Sequence, residues 1–190
     1  GGHAVARVLF GESCPEGKLP VTFYRTMEEL PEFTDYSMKG RTYRYMQQDA
    51  LYPFGYGLSY TRFELGEAKA LQENIEAGGC VQLDVSIQNT GAMAGGQTVQ
   101  VYVKALREGT PNPQLKGLKK VFLKPGEETR VTIFLPDTAF ALYDEEGRRM
   151  LKAGEYAVFV GMQQPDGRSE ALTGQKPRRI RIVCGQTAQL

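Results

Sequence analysis

The stretch Gly40-Arg41-Thr42-Tyr43-Arg44-Tyr45 sets two guanidinium groups among aromatic rings. Guanidinium donors and aromatic faces together can hydrogen-bond to and stack on a sugar ring, which makes Arg41, Tyr43, Arg44 and Tyr45 the candidate substrate-binding residues. The same side chains could instead anchor an aromatic loop. Paired carboxylates occur at Glu28-Glu29 and Glu127-Glu128, but adjacent side chains on a helix or strand diverge, so neither pair can close on one substrate and both read as solvated charge. Cys14, Cys80 and Cys184 are odd in number and far apart, and His3 is the lone histidine. That inventory argues against a disulfide framework and a zinc site, and no catalytic residue, metal or cofactor is expected. Lys176, Arg178, Arg179 and Arg181 form a basic cluster, yet they interleave with Ile180 and Ile182, as on the outer face of a late strand where charge discourages edge pairing.

The elements that must position these groups fall into two unequal parts. A length of 190 residues accommodates one small domain plus a segment of another. Hydrophobic residues at 41% and charged residues at 24% suit a folded globular chain. With 23 Lys plus Arg against 22 Asp plus Glu, there is no net field to draw in nucleic acid or an anionic membrane, and neither is expected as a partner. Apolar runs are only a few residues long, far short of the ~20 that a membrane helix needs. The chain starts at Gly1 inside a helical pattern, so sequence is expected upstream and the compartment stays open.

Ala4, Val5, Val8 and Leu9 recur at helical spacing ahead of Gly11, a helix end with its cap. Leu19-Pro20-Val21-Thr22-Phe23 predicts a short strand, and Thr26 to Glu29 one helical turn stopped by Pro31. Seven of the ten tyrosines lie between Tyr24 and Tyr60, in a stretch that shows no period from Asp35 onward, suited to contact between domains or to stacking on sugar. After Tyr60 the period becomes two. Val81, Leu83, Val85 and Ile87 alternate with polar residues, and the pattern returns at Val99-Val101-Val103, Val131-Ile133-Leu135, Tyr156-Val158-Val160 and Ile180-Ile182. Turn residues punctuate these runs, which together predict an all-β sandwich; without Trp or a Cys-Trp-Cys pattern, the fibronectin-like variety is favoured.

Motif blocks in order along nearly the whole chain resemble the C-terminal portion of family 3 glycoside hydrolases, the β-glucosidase and β-xylosidase family. Ala4 to Gly11, Gly17 to Phe23 and Tyr52-Pro53-Phe54-Gly55-Tyr56-Gly57-Leu58-Ser59-Tyr60-Thr61 are similar to the end of its α/β sandwich domain. Asn89-Thr90-Gly91, Val99 to Val103, Leu115 to Val121, Leu123 to Glu127 and Ala153 to Tyr156 are similar to its fibronectin-type-III-like domain. The fold class implied is mainly β: a fibronectin-III/immunoglobulin-like sandwich over 62–190, preceded over 1–61 by the C-terminal end of an α/β domain.

The resemblance further implies an accessory, structural part of a retaining β-glycosidase, with a carbohydrate-binding module as the alternative. Such enzymes use two carboxylates ~5 Å apart. In this family the nucleophile is an Asp commonly followed by Trp on a barrel domain, and the acid/base is a Glu earlier in the α/β domain; neither is expected here. The implied partners are the parent's own catalytic domains and, through them, the carbohydrate substrate. The joint is expected at Thr61 to Gly66, with Leu58 and Tyr60 in the seam.

Overall fold

The computed structural model describes all residues from Gly1 to Leu190. The first part carries α1 (Gly2–Leu9), a 3-10 turn (Met27–Glu29) and α2 (Thr42–Tyr45). Strands follow: β1 (Phe63–Ala70), β2 (Asn74–Ile75), β3 (Cys80–Asn89), β4 (Gly95–Ala105), β5 (Gln114–Leu123) and β6 (Glu128–Pro136). After a second 3-10 turn (Asp137–Phe140) come β7 (Leu142–Tyr143), β8 (Arg149–Leu151), β9 (Gly154–Gly161), α3 (Gly167–Thr173), β10 (Arg178–Cys184) and β11 (Ala188–Gln189).

One sheet has the order β1-β3-β6 and a second β2-β10-β9-β4-β5, with β11-β8-β7 as a small third. The period-two runs supply the facing layers. Val81, Leu83 and Val85 of β3 pair in register with Leu135, Ile133 and Val131 of β6, and Val101 and Val103 of β4 with Val160 and Val158 of β9. All of these belong to one buried cluster. Each such side chain contributes roughly 1.5–3 kcal/mol on leaving water. Tyr156 sits edge-on to Phe140, and its hydroxyl donates back to the Lys152 carbonyl at 2.7 Å, so its polar tip is satisfied within the core wall.

Four features differ from what periodicity predicts. The Leu19–Phe23 run forms no named strand. Its backbone pairs instead with the aromatic segment, through a bridge between Phe23 and Tyr52 and bonds from Leu19 N–H to Tyr56 O and Gly55 N–H to Leu19 O. Strand β4 does not alternate, because Gln100 and Tyr102, on the face away from the core, are as buried as Val99 and Val101. Helix α3 is unpredicted; Asp166 caps it by accepting the Ser169 N–H, and Gly174 closes it in the left-handed region. Leu58 and Tyr60, expected in the seam, are 69% and 52% exposed.

Other expected features have local causes. Helix α1 ends in a full Schellman motif, Gly11 N–H to Val8 O and Glu12 N–H to Arg7 O, with Gly11 at φ 75°. Of the basic cluster, Arg178, Arg179 and Arg181 lie on β10 and Lys176 precedes it. Arg181 pairs with Glu155, Arg179 lies over the Phe159 ring, and Arg178 reaches across to the β1 carbonyls of Leu65 and Gly66, tying the two sheets together.

At the entrance to the sandwich, the fully buried Asn89 makes four side-chain bonds. It donates to Met93 O and Leu123 O and accepts from the Thr61 hydroxyl and the Gly91 N–H. An amide has two donors and two ready lone pairs, so every one is used.

Candidate functional site

The candidate residues sit on α2 and the turn before it. Gly40 enters with φ 70° and Thr42 holds φ 54°. A β-branched residue in that region is strained by about 1–3 kcal/mol, and surrounding bonds must hold it. The β4–β5 connection supplies them. Asn112 donates from its side chain to the carbonyls of Tyr43 and Met46, its own N–H donates to Arg44 O, and Leu115 N–H donates to the Tyr43 hydroxyl.

Tyr43 is thereby buried. Its ring stacks on Phe54 at 4.2 Å and meets Tyr102 edge-on at 6.3 Å. Beneath these rings, Gln100 donates to Gly55 O and Met162 O and accepts from the Tyr102 hydroxyl at 2.6 Å. Burial pushes the Tyr102 phenol far above its ordinary pKa, so it remains a donor under all ordinary conditions. This polar and aromatic layer is the seam between the first part and the sandwich. Its flanks are Glu16, which accepts from Gly96 N–H and pairs with Lys120 at 2.6 Å, and Arg168, which donates to Ala50 O and Leu51 O.

Outward from the seam lies a cavity of about 920 Å³ whose lining includes Arg41, Tyr43 and Arg44, together with Tyr24, Phe33 and Tyr36; Tyr45 is not part of that lining. The Arg44 guanidinium lies 6.0 Å from the Tyr43 ring centre. Burial, with Arg44 and Arg149 nearby, lowers the Lys116 amine pKa. Arg41 is turned to backbone work: its Nη2 donates to the carbonyls of Glu32 and Asp35. Asp35 is the one carboxylate in the lining, and bonds from the Ser37 N–H, then the Ser37 hydroxyl, hold its pKa below the ordinary value. The rings and polar groups of the lining can stack and hydrogen-bond.

Residue type alone pointed to Arg41, Tyr43 and Arg44, which the structure brings to one cavity. It did not point to Phe33, Gln100 or Asn112. Gln100 occupies an outward position that reads as solvent-facing, and Asn112 sits in a Pro-flanked loop with no period. The usable signal was Gly55, whose left-handed φ of 78° accompanies a close approach to Gln100.

The elements described define a class: a fibronectin-III-type sandwich clasping the end of an α/β segment. Residues 1–60 match the glycosyl hydrolase family 3 C-terminal domain, and residues 97–164 match the fibronectin type III-like domain. The chain belongs to glycoside hydrolase family 3, as a C-terminal region of that family. It is 42% identical over 175 residues to a xylan 1,4-beta-xylosidase of Xylanibacter ruminicola, a match covering 91% of this chain and 20% of that protein. It is 35% identical to the thermostable beta-glucosidase B of Acetivibrio thermocellus, over 87% of this chain and 24% of that one. The crystal structure of the beta-glucosidase from Kluyveromyces marxianus in complex with glucose superposes with a TM-score of 0.80 at 31% identity, covering all of this chain and 23% of that one. The chain thus spans about a fifth to a quarter of the length of these relatives.

Proposed function

We propose that this chain is the accessory, structural C-terminal region of a retaining β-glycosidase, of the β-glucosidase or β-xylosidase kind, and is not catalytic by itself. The observation that carries this is the seam: the sandwich spends the outer face of β4 on Gln100, Tyr102 and their bonds to the aromatic segment, so its chemistry is bracing. The single carboxylate in the large cavity supports the absence of catalysis. Residues 1–61 form the end of the α/β domain and 62–190 the sandwich, with β1 starting at Phe63.

The partners proposed are the parent's own catalytic domains. Val5, Leu9, Phe10 and Met27 are 59–82% exposed along the first part, and apolar surface of that extent marks a face that another domain covers. Carbohydrate is reached through the parent, with Arg41, Tyr43, Arg44 and Tyr45 as the substrate-side segment, Tyr43 acting through its anchorage. Against a carbohydrate-binding module stands the burial of Tyr102 and Tyr156, which leaves Tyr143 as the exposed tyrosine of the sandwich. Incubation of the purified chain with nitrophenyl β-glucoside and β-xyloside is expected to give no release above buffer. Turnover that survives repurification would refute the proposal.

A further inference from the structure

We infer that the joint between the two parts holds a binding site for a small oxyanion such as inorganic phosphate, received by the Lys18 amine, the Gln97 carboxamide nitrogen and the Arg62 guanidinium. An anion seated there touches both parts of the chain at once. The site is independent of the glycosidase reading and of the large cavity beside the aromatic segment.

A cavity of about 310 Å³ opens where Lys18 and residues 56–59 of the first part meet Phe63, Gln97, Gln163 and Gln175 of the sandwich. It has room for one phosphate and several waters, at ~30 Å³ for each water. Its lining carries two cations, Lys18 and Arg62, and no carboxylate. An adjoining hollow of about 540 Å³ shares Arg62, Thr173 and Gln175 with it and adds Lys176 and Arg178, against Glu64 as the one acid. Four cations against one carboxylate set a positive potential at the mouth, and clefts lined by one sign of charge concentrate counter-ions.

Lys18 and Arg62 take part in none of the chain's seven ion pairs. Lys18 is also part-buried. Burial lowers the pKa of its amine, Cys14 opposes that, and no carboxylate answers the charge. Glu16, the nearest acid in the sequence, is spent on Lys120 and the Gly96 N–H. The lysine stem is held in place, since Gly57 passes so close that a Cβ there would lie 3.0 Å from Lys18 Cδ. Gln97 is 7% exposed, and its carboxamide oxygen accepts the Thr98 N–H at 3.0 Å. That bond orients the amide and leaves its nitrogen free to donate. Neighbouring hydroxyls are already engaged, Thr61 with Asn89 and Ser59 with Cys14. An amine and an amide nitrogen, both donors in want of an acceptor, are answered by a ligand that only accepts and carries negative charge. A metal cation is repelled by Lys18 and Arg62, and a neutral ligand leaves their charge unmet.

The test is a magnetic-resonance titration of the isotope-labelled 190-residue chain with sodium phosphate and with sodium acetate, ionic strength being held constant with sodium chloride. At least one of the two anions is expected to give saturable millimolar shifts of the Lys18 Cε and Gln97 side-chain amide signals. The same anion should bring the Lys18 amine pKa back up, because a bound anion favours the charged amine. Lys18→Gln should weaken the Gln97 response about tenfold or more, and Arg62→Gln about threefold or more. Neither cation is tied into an ion pair, so both variants should stay folded, which the methyl signals of Val85 and Val158 check. Phosphate also steadies folded proteins by exclusion from their surface, which is why the readout is a saturable local shift. Shifts that chloride alone reproduces, or that Lys18→Gln leaves intact, overturn the site. So does a response present in this chain and absent from the intact parent, which would mean that a carboxylate from upstream of Gly1 fills the pocket. None of these outcomes touches the accessory role, which the nitrophenyl glycosides test separately.

Discussion

The hydroxyl of Thr61 donates a 2.7 Å hydrogen bond to the side-chain oxygen of Asn89. The last residue of the proposed α/β segment is thereby fastened to the end of β3, while the same amide ties down Met93 and Leu123. Asn89→Ala should cost about 3 kcal/mol or more, since several buried groups lose their partner together. Urea denaturation gives the number; a loss below about 1 kcal/mol would show that water replaces the amide.

Gly55 is the tightest point of the seam. A Cβ there would lie 2.4 Å from Gln100 Oε1 and 2.9 Å from the Tyr102 hydroxyl, on a backbone at φ 78°. Gly55→Ala should therefore release the aromatic segment while the sandwich stays folded. Hydrogen exchange is the readout: the amides of Leu19, Phe23 and Leu51, all bonded across that segment, should speed up at least tenfold, with those of Val85 and Val158 unchanged. Equal acceleration everywhere would mean that the seam and the sandwich unfold as one.

Asp166 offers a pH test with a defined sign. Burial raises its carboxyl pKa, bonds from Ser169 pull it part of the way back, and Asp49 adds repulsion. The folded state then prefers the protonated form, so this contribution is fully present below the ordinary aspartate value and is lost as pH rises through the folded one. Asp166→Asn keeps an acceptor for the Ser169 N–H and should flatten that acid-range dependence without loss at neutral pH. Asp166→Ala removes the cap and should cost about 1 kcal/mol throughout. Melting curves from acid to neutral pH separate the two.

Glu16 and Lys120 form an ion pair in which the lysine is 57% exposed. Lys120→Ala should cost no more than about 0.5 kcal/mol. Glu16→Ala also strips the Gly96 N–H of its acceptor, and should cost about 1–2 kcal/mol. Equal losses in the two variants would show that the pair itself, and not the backbone bond, secures this flank.

The sandwich strands were legible because a half-buried strand writes its burial into every second residue, as Val81 to Ile87 do. Gln100 and Tyr102 broke that code. Their outer face is covered by Tyr43, Phe54 and Gly55, roughly fifty residues upstream, and nothing local in β4 announces a cover from such a distance. The seam was misplaced for the same reason: Leu58 and Tyr60 are apolar and adjacent to the joint, but the docking follows the bonds of Asn112 and Gln100. At the site, Arg41 and Arg44 were visible by type. The division of labour was not, since only geometry shows Arg41 gripping Glu32 and Asp35 while Phe33 and Tyr36 face outward.

The double coverage of β4 bears on whether this sandwich can be transplanted. Cut free at Thr61 and fused to an unrelated protein, it would carry an open glutamine amide and a bare tyrosine on a central strand, next to the already exposed Leu118 and Phe122 of β5. Such a graft would be adhesive toward whatever it met first. A portable version would have to bring along residues 41–56 or recode Gln100 and Tyr102 as a hydrated face, and the natural unit of exchange is accordingly the sandwich together with its aromatic clasp.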